Sequence, residues 1–265
     1  MTEQLSVQTY TIFEFIKDKA GLADSLRKIS AIGYPAVQLS AVGAMAGERP
    51  QVTAAEARGM LDANGLQCIA THRSWDSLSQ ETAFEIDFHG ELNCSYVAIG
   101  GLPQPYDRTS AEGYTSFITD AAPVIEKLKA AGLTFGFHNH THEFQRIGAS
   151  RRTFYDILIE EGGPDLTLEV DVYWAIHAGV NPERIFERCP GRVPVIHLKD
   201  KEVVSDADPI MAAIGEGVMD WDHILPACRA AGVQWYAIEQ DLCPRDPFDC
   251  LRSSFEFLSS WSPDE

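Results

Sequence analysis

The sequence predicts a (β/α)8 barrel, and three observations carry the prediction. A helix–glycine–strand phrase recurs along the chain. Eight short apolar runs alternate with helical segments. The 265 residues match the roughly 250 that eight such units need. Alternation of this kind gives right-handed βαβ units and a parallel sheet. The competing doubly wound sheet carries a glycine-rich phosphate turn after its first strand; here that place holds Thr9-Tyr10-Thr11-Ile12.

In chain order, Leu5-Ser6-Val7-Gln8-Thr9-Tyr10 alternates as a strand does. Residues 22–32 place Leu22, Leu26, Ile29 and Ile32 on one helical face and lead through Gly33 into Tyr34-Pro35-Ala36-Val37-Gln38-Leu39. The same phrase runs from 53–64 through Gly65 into Leu66–Thr71, from 111–131 through Gly132 into Leu133–Phe137, and from 222–231 through Gly232 into Val233–Ile238. Glycine just past a helix suits the left-handed closing position, and a short apolar run after it suits a buried parallel strand. Tyr96–Ile99, Leu166–Val170 and Val193–Leu198 complete the eight, and a last helix spans 247–259. No linker or low-complexity stretch interrupts the pattern, so residues 1–265 read as one domain.

Composition narrows the function. With 45% hydrophobic and 23% charged residues the chain is ordinary for a globular protein. The net charge of −18 opposes nucleic acid or an anionic membrane as partner, because either would meet a repulsive field. It suits solubility, high-salt adaptation or cation binding. No run approaches the roughly 18 apolar residues a membrane span requires. Met1-Thr2-Glu3-Gln4 lacks the basic start of a secretory leader, which leads to the expectation of a cytoplasmic protein. Six cysteines without a CxxC pair read as free thiols rather than a disulfide framework. Homo-oligomerisation is left open.

In a parallel barrel the reactive groups collect at the C-terminal strand ends. Those ends offer Gln8, Tyr10 and Gln38, then His72, then His138, His140, His142 and Glu143. Glu169 and Asp171, His197, Lys199 and Asp200, and finally Glu239 and Asp241 follow. On a continuing strand His138, His140 and His142 would share one face. Carboxylates and histidines at four successive strand ends suit a divalent cation with mixed oxygen and nitrogen donors: Mn, Co, Mg or Zn in a catalytic role. Each has a blander reading. Asp171 could cap the next helix, His197 could be a satisfied core histidine, and Glu169, one layer deeper, is read as structural. Tyr10, His72, Trp174 and Lys199 are the candidate substrate contacts.

These residues resemble a known family, the xylose-isomerase-like TIM barrels of sugar phosphate isomerases/epimerases, related to ketose 3-epimerases and inosose dehydratases. The marks are Phe137-His138-Asn139-His140 with Glu143-Phe144, Asp171-Val172-Tyr173-Trp174, His197-Leu198-Lys199-Asp200, Gly215-Glu216-Gly217 with Asp220-Trp221, and Glu239. The resemblance implies one divalent metal held by Glu, Asp, His and Glu, and the last three carry over onto Asp171, His197 and Glu239. For the first, either His138 replaces the glutamate, or Glu143 supplies it and leaves His138 and His140 for acid–base work; the second is carried forward. The implied chemistry is proton transfer beside a carbonyl of a sugar, keto-sugar or inosose, with His138, His140 and Glu239 as candidate bases. A metal-dependent dehydratase or a keto-glycoside-cleaving enzyme is the alternative. An endonuclease-IV-like hydrolase fits the negative charge poorly, and a partner-dependent barrel would not need the metal set intact. The scarcity of cations near the late strand ends favours an unphosphorylated substrate.

Overall fold

A computed structural model of the chain describes residues 1–205 and 209–262. Eight parallel strands close into a barrel in the order β1-β10-β7-β6-β5-β4-β3-β2. They are β1 (Leu5–Gln8), β2 (Ala36–Leu39), β3 (Gln67–His72), β4 (Tyr96–Ile99), β5 (Thr134–His138), β6 (Leu166–Asp171), β7 (Val195–Leu198) and β10 (Trp235–Ile238). The expected (β/α)8 barrel is therefore observed, with each of its eight strands inside or overlapping an apolar run named from the sequence.

Two further strands were not expected. β8 (Asp200–Glu202) and β9 (Ile210–Ala212) pair antiparallel as a ribbon beyond the end of β7. The charges of Asp200-Lys201-Glu202 broke the apolar pattern that marks barrel strands, because one face of so short a ribbon stays in water.

The helices form for local reasons. In α1 (Lys19–Ile32) the Asp18 side chain accepts from Gly21 N–H at 2.8 Å, Leu22, Leu26 and Ile29 are buried on one face, and Gly33 closes the helix at φ +118°. α2 (Ala54–Ala63) starts with a capping box between Thr53 and Glu56. α5 (Ala111–Ala130), α9 (Trp221–Ala230) and α10 (Pro247–Ser260) match the remaining helical segments read from the sequence. Among the described residues no helix is long and apolar enough to cross a membrane.

The barrel interior is layered. At its floor Ala36, Ala70, Ala98 and Ala237 pack with Ile69, Val195, Tyr96 and Trp235. The Tyr96 ring lies over the neighbouring strand β5 so closely that a Cβ on Gly136 would lie 2.0 Å from its hydroxyl. Above this plug, towards the C-terminal strand ends, the interior changes to Gln38, His138, Glu169, Asp171, His197, Lys199 and Glu239, all buried.

Candidate metal and catalytic site

Strand register builds the site. His138 pairs with Glu169, Asp171 lies two residues further on the same face of β6, Asp171 pairs with His197, and His197 pairs with Ala237, two before Glu239. The stagger of a closed barrel thus brings His138, Asp171, His197 and Glu239 to one level. A donor atom from each lies within 4.8 Å of the others.

The fifth strand departs from expectation in two ways. β5 ends at His138, so His140 and His142 do not continue its face. The Asn139 side chain explains the exit: its Oδ1 accepts from Asp171 N–H at 3.1 Å and its Nδ2 donates to Asp171 C=O at 3.4 Å, replacing the backbone ladder to β6. The chain then turns through a short 3₁₀ segment, His142–Phe144. As a result it is His138 that joins Asp171, His197 and Glu239, whereas Glu143 groups with His140 and His142.

Asp171 caps a helix with one oxygen and turns the other into the barrel. Its Oδ1 accepts from Trp174 N–H at 3.1 Å, capping α7 (Val172–His177), while Oδ2 turns inward, 3.1 Å from Lys199 Nζ and 3.8 Å from His138 Nε2. His197 has both ring nitrogens partnered within the protein. Its Nδ1 lies 2.8 Å from Glu239, and its Nε2 lies 2.9 Å from Gln38 Oε1 and 3.3 Å from Glu169. Lys199 is wholly buried and reaches Glu239 at 2.8 Å, Asp241 at 2.9 Å and Asp171.

Glu169, read from the sequence as structural, sits in a network of buried partners. It accepts from Gln38 Nε2 at 2.8 Å and meets His72 Nε2 at 2.5 Å, and so ties the second, third and seventh strands together. Its two-residue spacing from Asp171 was the signal that both face inward. Among the predicted substrate contacts, His72 and Lys199 join this network. Trp174 stands beside it, its ring centroid 5.8 Å from that of His140 and 5.5 Å from Lys199 Nζ. Tyr10 lies on the rim, more than a third exposed and stacked on Phe13.

The electrostatics follow from burial and crowding. Burial drives the Asp171 carboxyl up to about 6 despite Lys199 nearby. Burial would also raise Glu169, but His72 and His197 outweigh it and hold the acid at about 2. His197 is pushed up to about 10 because Glu169 and Glu239 overcome its desolvation. Burial, reinforced by neighbouring histidines, pushes His138 well below its ordinary value and takes His140 down to about 4. Both rings are therefore neutral near pH 7.

The donors fit a divalent cation. His138 Nδ1 is buried without a hydrogen bond, which is costly unless something else satisfies it, and Asp171 Oδ2, though 3.1 Å from Lys199 Nζ, makes no aligned one. Glu169, Asp171, Glu239 and Asp241 crowd a region whose cations are Lys199 and the His197 ring. Two carboxylates and two imidazoles are a first-row divalent set, not a thiolate one.

A closed parallel barrel with buried carboxylates and imidazoles at its C-terminal mouth defines a class, the barrel enzymes that work at their strand ends. The particular family follows from the sequence: the family model of the xylose isomerase-like TIM barrel matches residues 26–260, and the chain belongs to that family. Among solved structures, a sugar phosphate isomerase/epimerase from Parabacteroides distasonis superposes with a TM-score of 0.79 at 21% identity, over 99% of this chain and 100% of that one. An L-ribulose 3-epimerase gives 0.71 at 13% identity, covering 97% and 93%. A probable 3-DHS dehydratase from Bacillus anthracis gives 0.71 at 12%, covering 98% and 100%. These likenesses show the fold. No curated protein matches the chain in sequence.

Proposed function

We propose that this chain is a divalent-metal-dependent sugar isomerase or epimerase that moves a proton beside a carbonyl through an enediolate. The observation that carries the reading is the buried group His138, Asp171, His197 and Glu239 at the ends of β5, β6, β7 and β10. These four residues would hold the cation, which supplies a Lewis acid for a sugar hydroxyl and its neighbouring carbonyl oxygen. Family membership and the isomerase, epimerase and dehydratase neighbours support the same chemistry.

The remaining work falls to the chain's own groups. His140, neutral and close to both His138 and Trp174, is placed to take a carbon-bound proton at a ring nitrogen. Lys199 keeps Glu239 ionised, because with His197 it overcomes burial and holds that carboxyl well below the usual range. The Trp174 ring offers a flat apolar wall to a sugar face.

An unphosphorylated substrate fits the late strand ends best. The Gly215 and Gly217 amides, which a phosphate would need, both donate to Asp200 Oδ2, at 2.8 and 3.2 Å. Arg245 is paired with Glu216, and Lys199 with three carboxylates. Incubating keto-sugars and inososes with the metal-loaded protein in deuterated water tests the reading. Deuterium at carbon in a recovered or isomerised sugar is expected; deuterium accompanied by loss of water assigns the dehydratase alternative. No exchange with any member of either class overturns the proposal.

A further inference from the structure

The turn that carries the chain away from β5 holds a second cluster. His140, His142 and Glu143 each bring a donor atom within 4.8 Å of the others, and none of the three belongs to the four-residue group. The Glu143 side chain is wholly buried. One oxygen, Oε2, accepts from His140 N–H at 2.8 Å. The other, Oε1, lies 2.8 Å from His142 Nε2, yet neither atom makes an aligned hydrogen bond. A close N···O approach without that alignment is what two ligands on one ion show: bonds of about 2.1 Å meeting near a right angle leave their donor atoms about 3 Å apart.

Charge points the same way. Among the described residues Glu143 has no lysine or arginine within ion-pair distance, and His142 is the one histidine at that distance. A buried carboxylate without a cation is expensive. Gly101, at φ +119°, borders the cluster: a Cβ there would sit 3.5 Å from His140 Nδ1 and 3.6 Å from Glu143 Oε1.

We propose that His140, His142 and Glu143 form a second divalent-cation site beside the first. Two imidazoles and one carboxylate favour zinc, cobalt or another borderline first-row ion over magnesium, which prefers all-oxygen shells. The open positions would be filled by water or substrate oxygen. The site stands on its own residues and does not depend on the first group being occupied. When it is loaded, His140 is a ligand rather than a free base, so the two sites set which group moves the proton.

The test is a cobalt(II) titration of chelator-treated protein, read by elemental analysis after gel filtration and by visible d–d absorption. Four proteins are compared: wild type, His142→Ala, Glu143→Gln, and Asp171→Asn combined with Glu239→Gln. His142 is partly exposed, so its variant should keep the wild-type melting temperature, which is measured alongside. About two cobalt ions per chain are expected in wild type and about one in each variant, with a distinct residual spectrum for each site. A single wild-type ion that survives His142→Ala but not the Asp171/Glu239 change overturns the proposal and leaves the first site intact. A single ion lost in both Glu143→Gln and the Asp171/Glu239 variant also overturns it, and assigns Glu143 to the first group. Full retention by the Asp171/Glu239 variant, with loss in His142→Ala, fails the first reading only.

Discussion

The floor and the mouth of the barrel are built from opposite materials. At the floor, four alanines, a tyrosine and aliphatic side chains fill the interior, and the Tyr96 hydroxyl meets Thr167 Oγ1 at 3.2 Å. A few ångströms higher, Glu169, Asp171, Glu239, Lys199 and three histidines crowd a space that an apolar core would fill more cheaply. The floor obeys every rule of packing; the mouth breaks them in order to hold charge in a fixed array. Substitutions at the two ends should therefore fail differently, the floor in stability and the mouth in chemistry.

The sharpest separation is expected from Asp171→Asn. Turnover should fall by about 10²–10³-fold or more, the scale seen when a preorganised electrostatic group is removed. Lys199 keeps Glu239 and Asp241 as partners, so the urea midpoint should move by less than about 1 kcal/mol of stability. A loss of several kcal/mol with turnover retained would reverse the roles assigned to the two ends.

Lys199→Met attacks the mouth through its buried lysine. Three carboxylates would lose their buried partner, and breaking such a pair costs about 3–5 kcal/mol. The loss should appear in chelator and shrink when manganese is added, because a divalent ion restores the missing charge. Denaturant curves with and without the metal check this; an equal loss in both would remove the case for a cation among these carboxylates.

At the floor, Gly136→Ala places a methyl 2.0 Å from the Tyr96 hydroxyl. Overpacking of this kind costs about 1–3 kcal/mol. The companion Tyr96→Phe change should recover part of it by removing the hydroxyl. Turnover per folded molecule should stay within about twofold of wild type, since surface and packing changes away from a site act mainly through the folded fraction.

The same contrast explains what could be read from the chain. The floor strands and their helices follow from periodicity, which depends on local burial alone: Tyr96–Ile99 and Leu166–Val170 are apolar because both faces are covered. At the mouth, Asp171, His197 and Glu239 were legible because each ends an apolar run where a charged residue has no packing reason to be. What was not legible depended on contacts between distant segments. Asn139 ends β5 by bonding to Asp171, and beyond it the chain turns so that Glu143 lies with His140 and His142. Glu169 gains its place from Gln38 and His72, more than ninety residues away in sequence. The β8–β9 ribbon was hidden because three-residue strands with one wet face carry no period long enough to detect.

The smallest predicted effect tests a buried polar pair that belongs to neither end. His89, on α4 (Thr82–Leu92), is wholly buried behind β3. Its Nδ1 lies 2.6 Å from Glu85 C=O and its Nε2 lies 2.7 Å from Thr71 Oγ1, an arrangement that suits a neutral ring donating through Nδ1 and accepting from the threonine. Burial lowers its pKa, more than the Glu85 carbonyl and carboxylate raise it. The folded state therefore binds a proton less readily than the unfolded chain, where histidine titrates near 6.5. Stability from this residue is present above that pH and is lost as pH falls below it towards the depressed folded value. Denaturant midpoints of wild type and His89→Gln at pH 7.5 and pH 5.5 compare the two directly. Wild type should lose roughly 1 kcal/mol more than the variant over that interval. An equal loss in both would mean that His89 is accommodated as an imidazolium beside Glu85, and that the wall behind β3 tolerates charge as the mouth does.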